Sequence, residues 1–252
     1  MKETIKKIEK VARECADIML SADREKADIN EKTGNADLVT KYDKMIQEKL
    51  KKDLHEILPE ATFVGEEEDI HAAVNEGYAF IVDPIDGTTN FIKDYHASCV
   101  SIGIAKDGKP FAGVIYNPYL DEMFTAVKGQ GAYLNEKKIT VSAKTLEKGI
   151  VLFGTSPYYE DLSKKSFEMA YDYFKHSLDI RRSGSAALDL CSIAAGRAEL
   201  YFELKLSPWD YAAGAIIVME AGGVITKVDG SEITLDKPCS ILASNGKAVM
   251  DY

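Results

Sequence analysis

Two carboxylates three residues apart, Asp83 and Asp86, sit where an apolar run, Phe80-Ile-Val, meets a turn that continues Gly87-Thr88-Thr89-Asn90-Phe91. Pro84 stiffens the backbone between them and Gly87 permits a tight turn. Both side chains and the Ile85 carbonyl can therefore face one point, and converging oxygens of this kind suit a hard cation. The backbone N–H groups of Gly87 and Thr88, at the start of a helix, make a cradle for a phosphate. A lone pair of aspartates at this spacing is more often a capped turn. Here two further acidic segments accompany it: Gly65-Glu66-Glu67-Glu68 after a short strand, and Pro208-Trp209-Asp210 before a helix of small residues. Each alone reads as solvated surface or a helix cap.

The elements that must position these groups change character along the chain. Ile5, Ile8, Val11, Cys15, Ile18 and Met19 recur at helical spacing, so the spacing predicts an amphipathic helix over 1–20. Residues 21–37 are polar and aperiodic and read as an exposed loop. A second helix is expected from Lys41 to Ile57, stopping before Leu58-Pro59. Strands are expected at 62–64, 78–83, 98–106, 111–117, 121–127 and 132–134, punctuated by Asp107-Gly108, Asn117-Pro118 and Gly129-Gln130-Gly131, which predicts an antiparallel meander. After about residue 145 strands alternate with helices: strands at 150–154, 179–182, 198–203, 224–228 and 240–243, helices at 164–175, 186–197 and 211–221. The chain thus divides, as an expectation, into an α+β half over 1–145 carrying most acidic ligands and an α/β half over 146–252 carrying Asp210.

Composition narrows the chemistry. The 252 residues are 46% hydrophobic and 29% charged, enough apolar material for a sizeable core. No apolar run approaches the roughly 20 residues of a membrane span, and Met1-Lys2-Glu3-Thr4 opens no secretory leader. The four cysteines are scattered, without a C-x-x-C pair, and read as reduced thiols of a cytoplasmic protein. The four histidines lack zinc spacing, so any metal is held by oxygen. A net charge of −10 with no basic block gives no electrostatic support for direct nucleic-acid binding. An acidic protein can still handle a phosphorylated small molecule when divalent cations reverse the local field.

Together the segments Asp37-Leu-Val-Thr40-Lys-Tyr-Asp43, Gly65-Glu-Glu, Asp83-Pro-Ile-Asp-Gly-Thr-Thr-Asn-Phe91, Gly184-Ser-Ala-Ala187 and Trp209-Asp-Tyr-Ala-Ala-Gly resemble, in order and spacing, the inositol monophosphatase family over essentially the whole chain. The resemblance implies an α+β, α/β fold, a layered αβαβα sandwich of the sugar-phosphatase type. It implies an enzyme, a phosphoric monoester hydrolase acting on myo-inositol 1-phosphate or a similar polyol phosphate.

By the same resemblance Glu66, Asp83, the Ile85 carbonyl, Asp86 and Asp210 ligate two or three Mg²⁺ ions, with Mn²⁺ able to substitute. Converging carboxylates repel one another, so such a site asks for divalent cations. Thr88 and Asp43, with Glu67 nearby, are implied to position or deprotonate the attacking water, without a covalent intermediate. Gly87 and Thr88, the backbone of Gly184, Ser185 and Ala186, and Glu203 are implied substrate contacts, and Lys32 in the loop 27–35 is implied to help organise a third metal. Lithium inhibition and a homodimer are family expectations. Relatives with this metal core also act on fructose 1,6-bisphosphate, NADP(H), 3′-phosphoadenosine 5′-phosphate or histidinol phosphate, and some serve as regulatory binding proteins.

Overall fold

The computed structural model describes residues 1–24, 29–34, 37–67 and 74–248, with 31–34 and 37–38 described by their backbone alone. Helix α1 (Lys2–Leu20) buries Ile5, Ile8, Val11, Ala12, Cys15 and Met19 along one face, as the spacing predicts. Within the stretch expected to be loop, β1 (Asn30–Gly34) pairs antiparallel with β2 (Asp37–Val39). Ladder hydrogen bonds need no apolar alternation, which is why the pattern missed them. Lys32 lies on β1, and its side chain falls outside the described residues. Thr40 then starts α2 (Lys41–Ile57) through a reciprocal capping box with Asp43.

The seven-stranded sheet runs in sequence order: β3 (Thr62–Gly65), β4 (Tyr78–Asp86), β5 (Cys99–Lys106), β6 (Lys109–Asn117), β7 (Glu122–Val127), β8 (Ala132–Leu134) and β9 (Lys137–Ile139). From β4 onward it is the expected meander. The β3–β4 pair is parallel instead, because residues 66–77 separate the two strands and allow a crossover that a tight turn would not. Strand β9 escaped notice because Lys137-Lys138-Ile139 offers no apolar signal. Between β4 and β5 stands the short helix α3 (Thr88–Ile92).

The second sheet holds β10 (Ile150–Phe153), β11 (Asp179–Arg181), β12 (Leu200–Leu206), β13 (Val224–Thr226) and β14 (Cys239–Ser244) in the order β11-β10-β12-β14-β13. The first three are parallel and the last two join antiparallel. Helix α4 (Glu160–His176) packs on its outer side. Between the sheets lie α5 (Ala186–Ala194) and α6 (Pro208–Glu220). With α1 and α2 on the outer face of the seven-stranded sheet, the layers read αβαβα, as expected.

Layering is visible in the cores. Ile8, Leu50, Phe80, Val100 and Ile102 fill one side of the large sheet. Ile81, Ile115, Leu190, Tyr211 and Ile217 fill the other, joining both sheets through α5 and α6. Burying such large side chains stabilises by about 1.5–3 kcal/mol each before entropy is counted. Helix α6 lies close on β5 because Gly103 has no side chain: a Cβ there would come within 2.8 Å of the Ala212 Cβ. The small-residue run Ala212–Ala215 is thus a packing requirement, and it holds the N-terminus of α6, with Asp210, against the end of β4.

Candidate active site

Strand β4 carries eight consecutive buried residues into the turn, so Asp83 and Asp86 enter the interior on a rigid element. The Ile85 N–H donates to Asp83 Oδ1 at 3.0 Å, fixing the turn. Gly87 follows at φ 87°, a left-handed conformation, and a Cβ there would stand 2.9 Å from the Ala97 carbonyl oxygen. Across the sheet sandwich, Asp210 occupies the third position of α6, and its Oδ2 accepts from the Ser207 N–H at 2.7 Å. The helix starts at Pro208, three residues ahead of the position read from the sequence, because the proline and the Ser207–Asp210 capping box belong to its first turn.

Asp83, Asp86 and Asp210 each present a carboxylate oxygen within 4.8 Å of the others. Burial, followed by the charges of Glu66, Asp86 and Asp210, drives the Asp83 carboxyl well above the ordinary range, and a side-chain hydrogen bond joins it to Glu66. Burial and then the charges of Glu66 and Asp86 raise Asp210 likewise. Asp86 is pushed by burial to about 6, with Ser185 and Ala187 pulling the other way. Three distant stretches of sequence therefore converge, as expected.

The groups expected to handle water are adjacent to one another. Asp43 is fully buried. Its Oδ2 accepts from the Thr40 N–H at 2.8 Å and the Thr40 hydroxyl at 2.6 Å. Its Oδ1 faces the Thr88 hydroxyl at 3.3 Å, and that hydroxyl also lies 3.1 Å from the Ile85 carbonyl oxygen. With Asp43 accepting, the lone pairs of the Thr88 hydroxyl can accept a hydrogen bond from a water. Glu67 stands beside Glu66, its N–H held by Gln47 Oε1 at 2.9 Å.

The loop before α5 does more than the sequence indicated. Ser185 is 2% exposed. Its hydroxyl donates to Asp86 Oδ2 and accepts from the Leu188 N–H, while the Ala187 N–H reaches the same Asp86 oxygen at 2.9 Å. The start of α5 thus braces a carboxylate of the other half, a charge-assisted arrangement at a helix N-terminus. Asn90, unnoticed in the sequence, joins this loop to α3. Its signal was only its place in the Asp83–Phe91 string.

Glu203 is not at a strand end: β12 runs on to Leu206, and Glu203 is 8% exposed. Its Oε1 accepts from the Ser156 N–H at 2.8 Å and its Oε2 from the Tyr201 hydroxyl at 2.9 Å. Burial raises its carboxyl against the pull of both donors. Arg181 is paired with Asp179, whereas Arg182 donates from Nε to the Thr155 hydroxyl at 3.3 Å. Buried Asp189, one turn into α5, was also missed: its carboxyl is raised by burial and lowered by a bond to Ser183.

The residues present fit a hard divalent cation. All donors of the cluster are oxygens, and they repel one another until a positive charge joins them. Ser101, directly opposite Asp83 in the β4–β5 register, has a fully buried hydroxyl without a partner among the described residues. An orphaned hydroxyl beside a carboxylate cluster suits a hydrated ion. The sequence profile of the inositol monophosphatase family matches residues 1–251. The chain belongs to the inositol monophosphatase family.

Relatives agree with that assignment. Inositol monophosphatase 2 of Solanum lycopersicum is 42% identical over 213 residues, covering 81% of this chain and 80% of the relative. The extragenic suppressor protein suhB of Bartonella henselae superposes with a TM-score of 0.88 at 34% identity, covering 96% and 93% of the two chains. Staphylococcal SaIMPase-II, solved with inositol monophosphate bound, superposes at 0.79 with 28% identity, covering 96% and 87%. This inositol monophosphatase family chain is an enzyme, a phosphatase of the hydrolase class; the family is metal-dependent, and the acidic cluster here could bind a metal. No helix among its described residues is long and apolar enough to cross a membrane.

Proposed function

We propose that the chain hydrolyses myo-inositol 1-phosphate, or a closely similar polyol phosphate, to the alcohol and inorganic phosphate with Mg²⁺. The observation that carries this reading is the Asp83–Asp86–Asp210 cluster standing beside the Asp43–Thr88 pair. The inositol monophosphate in SaIMPase-II supports the substrate class. Glu66, Asp83, the Ile85 carbonyl, Asp86 and Asp210 would hold two or three ions, with Mn²⁺ able to replace Mg²⁺. When bound, the ions lower the pKa of water and offset the charge gathering on the phosphoryl and leaving oxygens.

The chain's own groups do the rest. Asp43 draws the Thr88 proton toward itself and orients the hydroxyl so that it accepts from the attacking water. Glu67 assists from the strand end. The backbone N–H groups of Gly87 and Thr88 bind phosphate oxygens. The alcohol lies toward Gly184, Ser185 and Ala186, with Ser185 contributing backbone only, since its hydroxyl is committed to Asp86. Glu203, with two donors already on its carboxylate, retains lone pairs for a substrate hydroxyl.

The test is kcat/KM across inositol 1-phosphate, fructose 1,6-bisphosphate, NADP(H), 3′-phosphoadenosine 5′-phosphate and histidinol phosphate, with Mg²⁺ and with added Li⁺. Inositol 1-phosphate is expected first, inhibited by lithium. Thr88→Val should lower kcat by about a hundred-fold, the scale of a lost general base, with Mg²⁺ affinity unchanged. A different substrate in first place would overturn the substrate assignment.

We further propose a cytoplasmic homodimer. The cysteines, none in a disulfide, fit a reducing compartment. Helix α4 leaves Phe167, Tyr171 and Phe174 exposed by 57%, 64% and 49% at helical spacing, an apolar stripe of the kind that partners cover. Sedimentation should show a dimer that Tyr171→Glu with Phe174→Glu dissociates; a wild-type monomer would reject it.

A further inference from the structure

The turn bearing Asp86 and the loop bracing it come from distant parts of the chain, and one side chain ties them together. Asn90 donates one amide hydrogen to the Ala97 carbonyl at 2.7 Å and the other to the Ser183 carbonyl at 2.9 Å. The opposite amide orientation would set Oδ1 against two carbonyl oxygens, so chemistry fixes which way it points. From Ser183 the loop closes on itself: the Ser183 hydroxyl accepts from the Ser185 N–H and lies within hydrogen-bonding distance of the Ser185 carbonyl, both at 3.1 Å. From there the Ser185 hydroxyl and the Ala187 N–H hold Asp86 Oδ2. The fit is close. Gly184 has φ +85°, and a Cβ on it would come 3.2 Å from Asn90 Nδ2.

We propose that Asn90 is a positioning residue that sets the cation affinity of the acidic cluster, acting through Ser183 and Ser185 on Asp86. The inference rests on the reading of that cluster as a metal centre. Asn90 bonds to Ala97 and Ser183, and its work is to register the 183–187 loop on α3. Without its two bonds the loop is free to withdraw from the turn, and Asp86 Oδ2 loses the donors that aim it. Side chains that orient a metal ligand from behind are commonly worth ten- to a hundred-fold in affinity, on the order of magnitude expected here.

The experiment is calorimetric titration of the metal-free chain with MgCl₂ in the absence of substrate. Asn90→Ala is expected to raise the dissociation constant by about tenfold or more. At saturating Mg²⁺ its kcat should stay within about threefold of wild type, since no group on the reacting atoms has changed. Ser185→Ala should weaken binding comparably, and the double variant should bind no more weakly than the weaker single one, because both act along one route. Gly184→Ala, which forces the same contact apart from the loop side, gives the second variant should Asn90→Ala fail to fold.

A purely structural asparagine would lower the melting temperature and leave the dissociation constant where it was. Fully additive losses in the Asn90–Ser185 pair would put Asn90 outside the proposed route. Wild-type protein that fails to bind Mg²⁺ would overturn the metal-centre reading itself. Wild-type binding that both Asn90→Ala and Gly184→Ala leave intact would overturn this inference alone.

Discussion

Asp83→Asn is expected to lower kcat/KM for phosphate release by about a thousand-fold or more, the scale on which loss of a charge-placing group in a buried site is felt, and at the same time to make the metal-free chain more stable. The two effects have one cause. Asp83 is 3% exposed and lies among Glu66, Asp86 and Asp210. Its negative charge is tolerated only when cations are present to use it. Asparagine keeps the Oδ1 acceptor for the Ile85 N–H, so the turn is preserved. What disappears is the cost of keeping an ionisable group there, whether as a buried charge or as a proton held above its ordinary range, and relief of that kind stabilises by about 0.5–2 kcal/mol. A thermal melt in chelator and a phosphate-release assay on the same sample check both halves. Activity within tenfold of wild type would exclude Asp83 from the metal site, and an unchanged or lower melting temperature would show that the cluster is not mutually destabilising.

The legible part of this protein was whatever local chemistry writes into adjacent positions. Proline and glycine around Asp83 and Asp86 announced a turn that aims two carboxylates. Apolar spacing announced α1 and α2 to within a residue at either end. Convergence with Glu66 and Asp210 was inferred from the family resemblance, because nothing local relates positions so far apart. The parallel β3–β4 pair was lost for the same reason: strand direction is set by tertiary pairing, which periodicity does not record.

Polar supports were the least visible. Ser185, Asn90 and Glu203 each look like ordinary surface residues, and their work depends on partners 99, 93 and 47 positions away. Resemblance named Ser185 and Glu203 as substrate contacts, but the supporting bonds they make can be recognised only when a buried donor is seen to meet a buried acceptor. Asp43 shows the mixed case. Its capping box with Thr40 is local and could be read, but the same carboxylate turns its other oxygen to Thr88, and that was available only through resemblance.

Metal removal should make stability depend on pH in a direction opposite to that of most carboxylates. Asp86 titrates at about 6 in the fold against 3.8 as the ordinary value, and Asp83 and Asp210 lie well above that ordinary value. The folded chain therefore holds protons that the unfolded chain has released, and stability falls as pH rises. For Asp86 the contribution is fully present below 3.8 and gone once pH has passed about 6. It amounts to about 3 kcal/mol at 1.36 per unit. Asp189 and Glu203, also raised by burial, slope the same way, while carboxyls held low by surface partners, among them Asp121, Asp179 and Glu232, act only below their ordinary values of 3.8 to 4.5.

Divalent cations reverse the trend. They compete with the same protons, so their stabilisation grows with pH, reaching about 2.7 kcal/mol at a hundred times the dissociation constant. Melting curves at pH 5 and 7.5, in chelator and in MgCl₂, should show the chelated protein losing stability across the interval while the gap between the two conditions widens. A chelated melting temperature that is flat or rising over that interval would mean the three aspartates do not share one dry pocket, because carboxylates separated by water have no reason to hold their protons.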